Sequence, residues 1–469
     1  MTSLDCTRIL VIGEGLAAGM TNFSLIEADQ VHSFPAQLAR QLKTRFVQPL
    51  LQAPGLGDAP GFARLPVRLP FDAQTTVLSQ FPVTESHANV SFPGLTLADV
   101  LTRRASQPLV RGDDALQTAI NLIVGMDGAL TSATMATPTA LEYALSQKPT
   151  LAIIELGFAE ALDAAVSRRP DAVPDAATFR AHYTTLVSAL RATGCHVIVT
   201  TIPDPSDTAH FSPVEAVARV LKVPAPMVAM VSGLQPGDLV SVEGLMELGY
   251  QFICKAPQPI ADAAILRAGV ATAISARIDA LNAEITAIAK QCGAVTYDLR
   301  ALYRAVRTSG IAVGTRTLTA DFLGGFYSLN GYYPGATGQA LIANGLIDTI
   351  NAAFGATFDA IRTDAVSYTH LTLPAGLEQV LPLDNASSYY GDALRAVHTS
   401  DPAEIGYGIT GNLLFGGLAL LDSHLSGHIK ITFTEPVNHV THFTVTHGDG
   451  LVGDDGKLSA PQFLSLIHI

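Results

Sequence analysis

A short glycine-rich turn near the amino terminus is the first feature of the sequence whose residue types and spacing could support chemistry. The apolar run RILVI at residues 8–12 leads directly into GEGLAA at residues 13–18, a match to GxGxxA. In dinucleotide-binding folds such glycines let the backbone approach a pyrophosphate at a helix N-terminus. The same strand and turn also open folds in which the turn presents a nucleophile. The motif alone therefore predicts two different kinds of site.

The residues that follow the turn disfavour the dinucleotide interpretation. That fold needs a second strand that ends, about 20 residues after the motif, in an acidic residue for the ribose. Here residues 33–46, SFPAQLARQLKTRF, have the pattern of an amphipathic helix. We therefore expect no nucleotide cofactor, and the sequence gives no reason to expect any other cofactor.

Histidines are concentrated in the last part of the chain, and imidazole is the commonest metal ligand. Their spacing matches no standard ligand motif, and histidines among threonines on short strands are typical of a solvated face. We therefore predict no metal site. The histidines concerned are His424, His428, His439, His442 and His447.

The elements that must position the turn alternate between short apolar runs and helical segments. Runs that suit buried parallel strands lie at 8–12, 150–156, 196–202 and 294–299. The clearest helix covers 263–291, where apolar residues recur close to every 3.6 positions and Gly293 follows as a stop signal. This alternation predicts an α/β sandwich with a parallel sheet and right-handed crossovers.

Four segments, taken in order, resemble the conserved blocks of the SGNH hydrolase (GDSL) family of esterases and lipases. The first is VIGEGLAAG, and the following FPAQLARQL is similar to a bacterial branch of that family. The other three are SFPGLTLADVL (91–101), ALSQKPTLAIIELGFAEAL (144–162) and DFLGGFYSLNGYYPGATGQALIANGLIDTINAAFG (321–355). The resemblance covers residues 8 to about 358. It implies a flavodoxin-like three-layer α/β/α fold and carboxylic-ester hydrolysis.

The resemblance also assigns the groups that would carry out the reaction, and this chain has replaced them. Ester hydrolysis of this type needs a hydroxyl nucleophile, an imidazole base and a carboxylate that orients the imidazole. The family's serine corresponds to Gly15, which has no side chain, and its Asp and His correspond to Asn330 and Tyr333. A tyrosine with a pKa near 10 is a poor general base at neutral pH.

The groups that would stabilise the oxyanion are also depleted. The family's oxyanion glycine corresponds to Gly94, but its oxyanion asparagine corresponds to Ala159 and the aspartate after it to Glu160. Only backbone donors at positions 94 and 15 would remain, and loss of one oxyanion donor costs about 3 to 4 kcal/mol of transition-state stabilisation. Ser3, Ser24 and Ser33 lie near the first block but outside its turn, so none is an obvious substitute nucleophile.

These substitutions leave two functional hypotheses. In the first, the chain is a pseudoenzyme that binds a small-molecule ester, lipid or glycan in the former cleft, through Glu14, Gly15, Gly94, Glu160 and Tyr333. In the second, it is an active hydrolase with a rearranged site, in which Glu14, Glu160 and Tyr333 act on an ester, or the two carboxylates flank a glycosidic bond. The structural alternative is that both glutamates keep hydrogen bonds of the acids they replace and that Tyr333 fills the space of the imidazole.

Length and composition bound the remaining expectations. The 469 residues are 48% hydrophobic and 15% charged, with a net charge of −13 and no lysine or arginine run, which disfavours nucleic acid as a partner.

We predict an SGNH-hydrolase-like domain at 1–360 and a β-rich accessory domain at 361–469. The chain ends in the apolar run FLSLIHI, which leaves open whether this domain is complete. No export signal or membrane-spanning run is visible, and localisation stays undetermined.

Overall fold

The structure is a computed structural model in which two parts of the chain are described. The first part comprises residues 4–21, 25–52, 55–56, 78–79, 85–111, 114–125, 137–253, 257–314, 316–328 and 330–363. The second part comprises three strands at 428–437, 440–446 and 450–452. Most of the Pro- and Gly-rich segment between residues 48 and 90 lies outside these ranges, as do His424, His439, His447, Ser3 and Ser24.

The strands are numbered along the chain. They are β1 (Ile9–Gly13), β2 (Asn89–Ser91), β3 (Leu151–Glu155), β4 (His196–Thr200), β5 (Phe211–Pro213), β6 (Leu239–Ser241), β7 (Ile265–Leu266), β8 (Val295–Tyr297), β9 (Ile311–Val313), β10 (Arg316–Leu318), β11 (His428–Val437), β12 (Val440–Thr446) and β13 (Gly450–Val452).

Five of these strands form the central parallel sheet, in the order β2-β1-β3-β4-β8. Counted within the sheet, the order is 2-1-3-4-5, which is the flavodoxin-like doubly wound order. The predicted fold class is therefore confirmed for this part of the chain. All four predicted runs are strands of this sheet, whereas β2 is a strand that the sequence patterns missed. β1 is buried along its whole length because it has a strand on each side and helices on both faces.

The helices are numbered in the same way. They are α1 (Gly15–Ala18), α2 (Glu27–Gln30), α3 (Phe34–Gln41), α4 (Leu97–Thr102), α5 (Ala115–Ile123), α6 (Ala140–Ser146), α7 (Phe158–Ser167), α8 (Ala176–Ala192), α9 (Val214–Leu221), α10 (Ala225–Ser232), α11 (Val242–Ile253), α12 (Ala268–Cys292), α13 (Leu299–Thr308) and α14 (Ala336–Phe354).

These helices form two groups around the sheet. α3 packs on α14, while α4, α6, α7, α8 and α12 pack among themselves, and β8 contacts both α12 and α14. The helix predicted at 263–291 corresponds to α12, but it begins later, at Ala268, because Ile265 and Leu266 form β7. Its buried face consists of Ile274, Ile278, Leu281, Ile285, Ile288 and Ala289. Gly293 caps its end in the left-handed conformation, as expected.

Smaller antiparallel sheets complete the described structure. One of them consists of β5, β6 and β7, which lie between β4 and α12 in the chain. The other is the pair of β9 and β10, and neither sheet was predicted. In the C-terminal part, β11, β12 and β13 form a three-stranded antiparallel sheet. The domain boundary near residue 360 stays a prediction. Among the helices of the described residues, none is both long and apolar enough to cross a bilayer.

Candidate functional site

The residues singled out from the sequence lie at the carboxyl ends of the parallel strands. Glu14 and Gly15 follow β1 directly, Gly94 follows β2, and Ala159 lies in the first turn of α7 after β3. The loop before α14 contributes Tyr333. In open α/β sheets this edge is where ligands bind, because loops from several strands converge there.

The turn after β1 is held together by the carboxyl group of Glu14. This residue caps α1: its Oε1 accepts a hydrogen bond of 2.8 Å from the backbone N–H of Leu16. Glu14 has no solvent-exposed surface, and every residue of α1 is buried. The carboxyl group of Glu14 therefore occupies the backbone N–H of Leu16 in the first turn of α1.

The loop before α14 is ordered around Asn330. The Oδ1 atom of this fully buried residue accepts hydrogen bonds from the backbone N–H groups of Tyr332, at 3.0 Å, and Tyr333, at 2.9 Å. Its Nδ2 atom is buried without a hydrogen-bond partner in the structure. Asn330 therefore positions the backbone of the two tyrosines, and its side chain is not used to orient a ring.

Tyr333 is directed from this loop into the turn after β1. Its hydroxyl donates a hydrogen bond of 2.6 Å to Oε2 of Glu14. The ring packs edge-on against Phe158, at a centroid distance of 6.3 Å, and against Tyr332, at 4.9 Å. Only 2% of Tyr333 is exposed, so its phenol is part of the protein interior.

Gly15 is the residue on which this arrangement depends. A Cβ atom built on Gly15 would lie 2.7 Å from Cζ of Tyr333 and closer still to its hydroxyl. Contacts below 3.0 Å cannot be accommodated without a shift of one of the groups. The tyrosine ring therefore occupies the space that a side chain at position 15 would need. We call Glu14, Gly15 and the ring of Tyr333 the inner cradle.

A third acidic residue, which the sequence analysis did not single out, binds the backbone of the turn that forms the inner cradle. Glu155, the last residue of β3, is 1% exposed. Its Oε2 accepts hydrogen bonds from the backbone N–H of Glu14, at 3.2 Å, and of Ala17, at 3.3 Å. A charged residue inside the apolar run LAIIEL was the signal that could have revealed it, because buried acids are rare unless they are paired.

Burial determines the protonation behaviour of these groups. It raises the pKa of the Glu14 carboxyl to about 7, although the hydrogen bonds from Tyr333 and Leu16 act in the opposite direction. Burial, reinforced by the charge of Glu14, raises the pKa of Glu155 well above its usual value. For the same two reasons the pKa of Tyr333 lies well above 10. Tyr333 therefore stays a neutral donor at physiological pH and cannot serve as a general base.

The remaining predicted residues lie nearer the surface, and we call Gly94, Ala159 and Glu160 the outer rim. Gly94 is exposed, has a φ of +80°, and has no atom within 4 Å of the position of a Cβ. Ala159 is partly buried. Oε1 of Glu160 accepts a 3.0 Å hydrogen bond from the N–H of Leu97, whereas Oε2 is buried without a partner in the structure. Burial raises the pKa of Glu160 to about 7, and the nearby charge of Asp99 contributes.

A buried histidine lies against the same loop and was also missed. The Nδ1 atom of His210 is 2.9 Å from the carbonyl oxygen of Asn330, and its ring lies 5.2 Å from that of Tyr332. Burial lowers the pKa of this imidazole to about 4, so the ring is neutral at physiological pH. A single histidine after β4, in TAHFSP, offers no spacing pattern from which this position could have been predicted.

The structure thus brings some of the predicted residues together and leaves others apart. Glu14, Gly15, Asn330 and Tyr333 form one buried assembly, and Glu160 is tied to the Gly94 loop through Leu97. Because Glu14 has no exposed surface, it offers no face to a sugar, which argues against a pair of catalytic carboxylates at Glu14 and Glu160. Ser33 caps α3 and is bonded to Gln48, so it has a structural role.

The described residues contain no group of three or more His, Cys, Asp or Glu side chains placed to hold a metal ion. His428 and His442 are on neighbouring strands, β11 and β12, but they are not opposite each other. His428 pairs with Thr446, and His442 pairs with Thr432.

Comparisons with known proteins give a distant likeness. No family model matches the sequence, and neither does any of the curated proteins. Among solved structures, the chain is similar to TesA, to LAE5, an alpha/beta hydrolase enzyme from the metagenome of Lake Arreo, Spain, and to phospholipase A1 from Streptomyces albidoflavus NA297. Each comparison has a TM-score of 0.32 and 12% sequence identity, and covers 74% of this chain. The shares of the other chains covered are 98%, 94% and 98%, respectively. Likeness at this level carries no argument about activity.

Proposed function

We propose that this chain is a member of the SGNH hydrolase family that has lost serine esterase chemistry and binds a small ligand at its former active site. The family assignment is supported by four sequence blocks in the family's order and by a sheet with the flavodoxin-like strand order. The loss of chemistry is supported by the residues at the catalytic positions. The ligand is a small-molecule ester, a lipid or a glycan.

The observation that carries the proposal is the position of the Tyr333 ring. Position 15 lacks a nucleophile, and the space that a serine side chain would need contains the phenol of Tyr333. A backbone donor of the same turn is already bonded to the carboxyl group of Glu14. The absence of a nucleophile, the occupied space and the bonded backbone donor all support the loss of ester hydrolysis.

The outer rim is the part of the former site that a ligand can reach. Gly94 is exposed and open on the side where a Cβ would lie, and Ala159 and Glu160 are partly buried. Glu14, Gly15 and Tyr333 are buried and would meet a ligand only if the inner cradle opened. We therefore propose that the first contacts of a ligand are with the outer rim.

A fluorophosphonate probe tests the loss of chemistry directly. The purified full chain is incubated with the probe, and the intact mass and the peptide masses are measured. We expect no specific adduct, because no serine lies in the turn after β1. A stoichiometric adduct on any residue at the carboxyl edge of the sheet would refute the proposal.

A second experiment asks whether esterase activity appears when the family's residues are restored. The restored variant carries Gly15→Ser, Ala159→Asn, Asn330→Asp and Tyr333→His, and its control carries the last three changes without Gly15→Ser. We expect hydrolysis of short-chain aryl esters by the restored variant alone. Hydrolysis by the unmodified chain above the background of the control would contradict the proposal. Gly15→Ser requires the change at Tyr333, because the ring leaves no room for the serine.

Binding at the outer rim is tested by thermal-shift measurements with short-chain esters, fatty acids and oligosaccharides. Gly94→Val places a branched side chain in the open space of the rim, and Glu215→Gln on the exposed part of α9 is the control. We expect one ligand class to stabilise the unmodified chain and the Glu215→Gln variant but not Gly94→Val. Equal stabilisation of all three proteins would place the ligand elsewhere and refute the rim site.

A further inference from the structure

Two buried carboxyl groups, those of Glu14 and Glu155, lie together at the carboxyl edge of the sheet, and with the partly buried Glu160 of the outer rim we call them the carboxyl cluster. Glu14 is 0% and Glu155 1% exposed, and the N–H of Glu14 lies 3.2 Å from Oε2 of Glu155. The charge of Glu160 is close enough to affect both other carboxyl groups. Tyr333 covers this assembly through its 2.6 Å hydrogen bond to Glu14.

The titratable groups that interact electrostatically with the carboxyl cluster are phenols and one further acid. They are Tyr333 from the loop before α14, Tyr303 from α13, Tyr183 from α8 and Asp99 from α4. Within the described part of the chain, no lysine, arginine or histidine forms an ion pair with Glu14, Glu155 or Glu160. Negative charge that accumulates in the cluster therefore has no counter-ion and is offset only in part, by hydrogen bonds from the backbone and from Tyr333.

We propose that the inner cradle is a pH-dependent closure, in which Tyr333 stays seated on Glu14 and Gly15 while the carboxyl cluster holds its protons and leaves its seat as the pH rises above neutrality. The proposal concerns regulation of the site described under the proposed function, since Glu14, Gly15 and Tyr333 are buried while the ring is seated. It rests on that function only for its biological meaning. The closure itself is a property of the packed side chains.

Linkage gives the direction of the effect. Glu14 and Glu155 are buried while the ring is seated, and burial is the largest cause of the raised pKa of each. If opening returned Glu14 from a pKa of about 7 to its usual 4.5, the ratio of open to closed protein would rise by up to about 300-fold between acidic and alkaline pH. The Tyr333 hydrogen bond favours ionised Glu14 and opposes this effect, but it is the smaller of the two contributions.

Hydroxyl-radical footprinting with mass spectrometry tests the closure in the full chain. The reaction rate of tyrosine with the radical depends little on pH in this range, so labelling reports the accessible fraction of each ring. We expect labelling of Tyr333 to rise roughly 10-fold between pH 6 and pH 8.5. This is a small part of the change in the ratio of open to closed protein that the pKa shift of Glu14 allows. Labelling of Tyr143, which is buried on α6 and bonded through its hydroxyl to the backbone N–H of His87, is expected to stay within about 2-fold, because global unfolding is rare at both pH values.

Variants of the cluster decide whether the carboxyl groups cause the change. In Glu14→Gln/Glu155→Gln the rise at Tyr333 should disappear, and in the control Glu215→Gln it should persist. The single variant Glu14→Gln keeps an acceptor for the Tyr333 hydroxyl and serves if the double variant does not fold; its rise should be smaller than that of the unmodified chain. The closure would be overturned by constant labelling of Tyr333, by a rise that merely follows the labelling of Tyr143, or by an unchanged rise in the glutamine variants. Esterase activity of the unmodified chain would refute the proposed function and leave this measurement unaffected.

Discussion

The phenol ring of Tyr333 lies against Gly15, in the space where a side chain at position 15 would begin. Each residue permits the other: the glycine leaves room for the ring, and the ring fills the volume that the missing side chain leaves. Because protein interiors are packed as densely as organic crystals, neither residue can change size alone without strain or a void.

A double-mutant cycle between these two positions should therefore show strong coupling. Gly15→Ala should lower the free energy of unfolding by about 1 to 3 kcal/mol through overpacking, and Tyr333→Ala by about 3 to 5 kcal/mol through the cavity it leaves. In the double variant the added methyl group has room, so its cost should vanish and a coupling of about 1 to 3 kcal/mol should appear. Urea denaturation followed by circular dichroism measures all four proteins.

Gly94→Ala is the matched control for this cycle. Gly94 has a φ of +80° but open space at its Cβ, so the substitution should cost about 1 kcal/mol through backbone strain. This cost should add to that of Tyr333→Ala without coupling, because the added methyl group meets no ring. Additive costs at Gly15 would mean that the ring and the glycine are not in contact.

The hydroxyl of Tyr333 should matter more than that of Tyr303, although both are buried. Tyr333→Phe removes a hydrogen bond to the carboxyl group of Glu14 and should cost about 0.5 to 1.5 kcal/mol at pH 6, where the ring is seated. The hydroxyl of Tyr303 has no hydrogen-bond partner in the structure, so Tyr303→Phe should be neutral or stabilising by up to about 1 kcal/mol. Urea denaturation at pH 6 compares the two variants, and equal costs would contradict the assigned hydrogen bond.

The sequence predicted the framework of this site better than its interior. Buried parallel strands have continuous apolar runs of a length that pattern analysis detects, so all four predicted strands of the central sheet are confirmed. β2 escaped detection because three residues, Asn89–Ser91, are too few for a periodic pattern and two of them are polar. The small sheet of β5, β6 and β7 was missed for the same reason of length.

Within the site, the sequence blocks indicated which residues lie at one edge of the sheet but did not give the contacts between them. The first and last blocks placed Glu14, Gly15 and Tyr333 near one another, as the family resemblance implied. The direction of the Tyr333 ring depends on packing against Phe158 and Tyr332, which sequence spacing does not encode. Glu155 and His210 have no motif of their own, and they take their roles from neighbours distant in sequence.

Stability should fall as the pH rises through neutrality, and part of that fall should belong to Glu160. Its pKa is about 7 in the folded chain and about 4.5 when unfolded, so its stabilising contribution is complete below pH 4.5 and is lost as the pH rises through 7. Between pH 4.5 and pH 8, the free energy of unfolding of Glu160→Gln should therefore rise by at most about 3 kcal/mol relative to that of the unmodified chain. The measurement is the free energy of unfolding in urea at several pH values.

Glu142→Gln is the control for this comparison, because Glu142 is exposed and paired with Arg104. The Arg104 guanidinium holds the pKa of Glu142 below its usual value, so this residue contributes stability that is lost as the pH falls. Its substitution should change the pH dependence slightly and in the opposite sense. A Glu160→Gln profile parallel to that of the unmodified chain would show that Glu160 is not protonated in the folded state near neutral pH.

Asn330 should be more important for stability than an asparagine that makes as many hydrogen bonds nearer the surface. Asn330→Ala leaves two buried backbone N–H groups, those of Tyr332 and Tyr333, without their acceptor and should cost about 2 to 4 kcal/mol. Asn351 also makes two hydrogen bonds, both to the backbone of Phe358, but in a partly buried position where water can replace it. Asn351→Ala should therefore cost about 1 kcal/mol. Because Asn330 fixes the backbone of Tyr333, its substitution should also raise radical labelling of that ring at pH 6, which Asn351→Ala should not do. Equal labelling in the two variants would mean that the ring is held by its own packing and its bond to Glu14, without help from the loop.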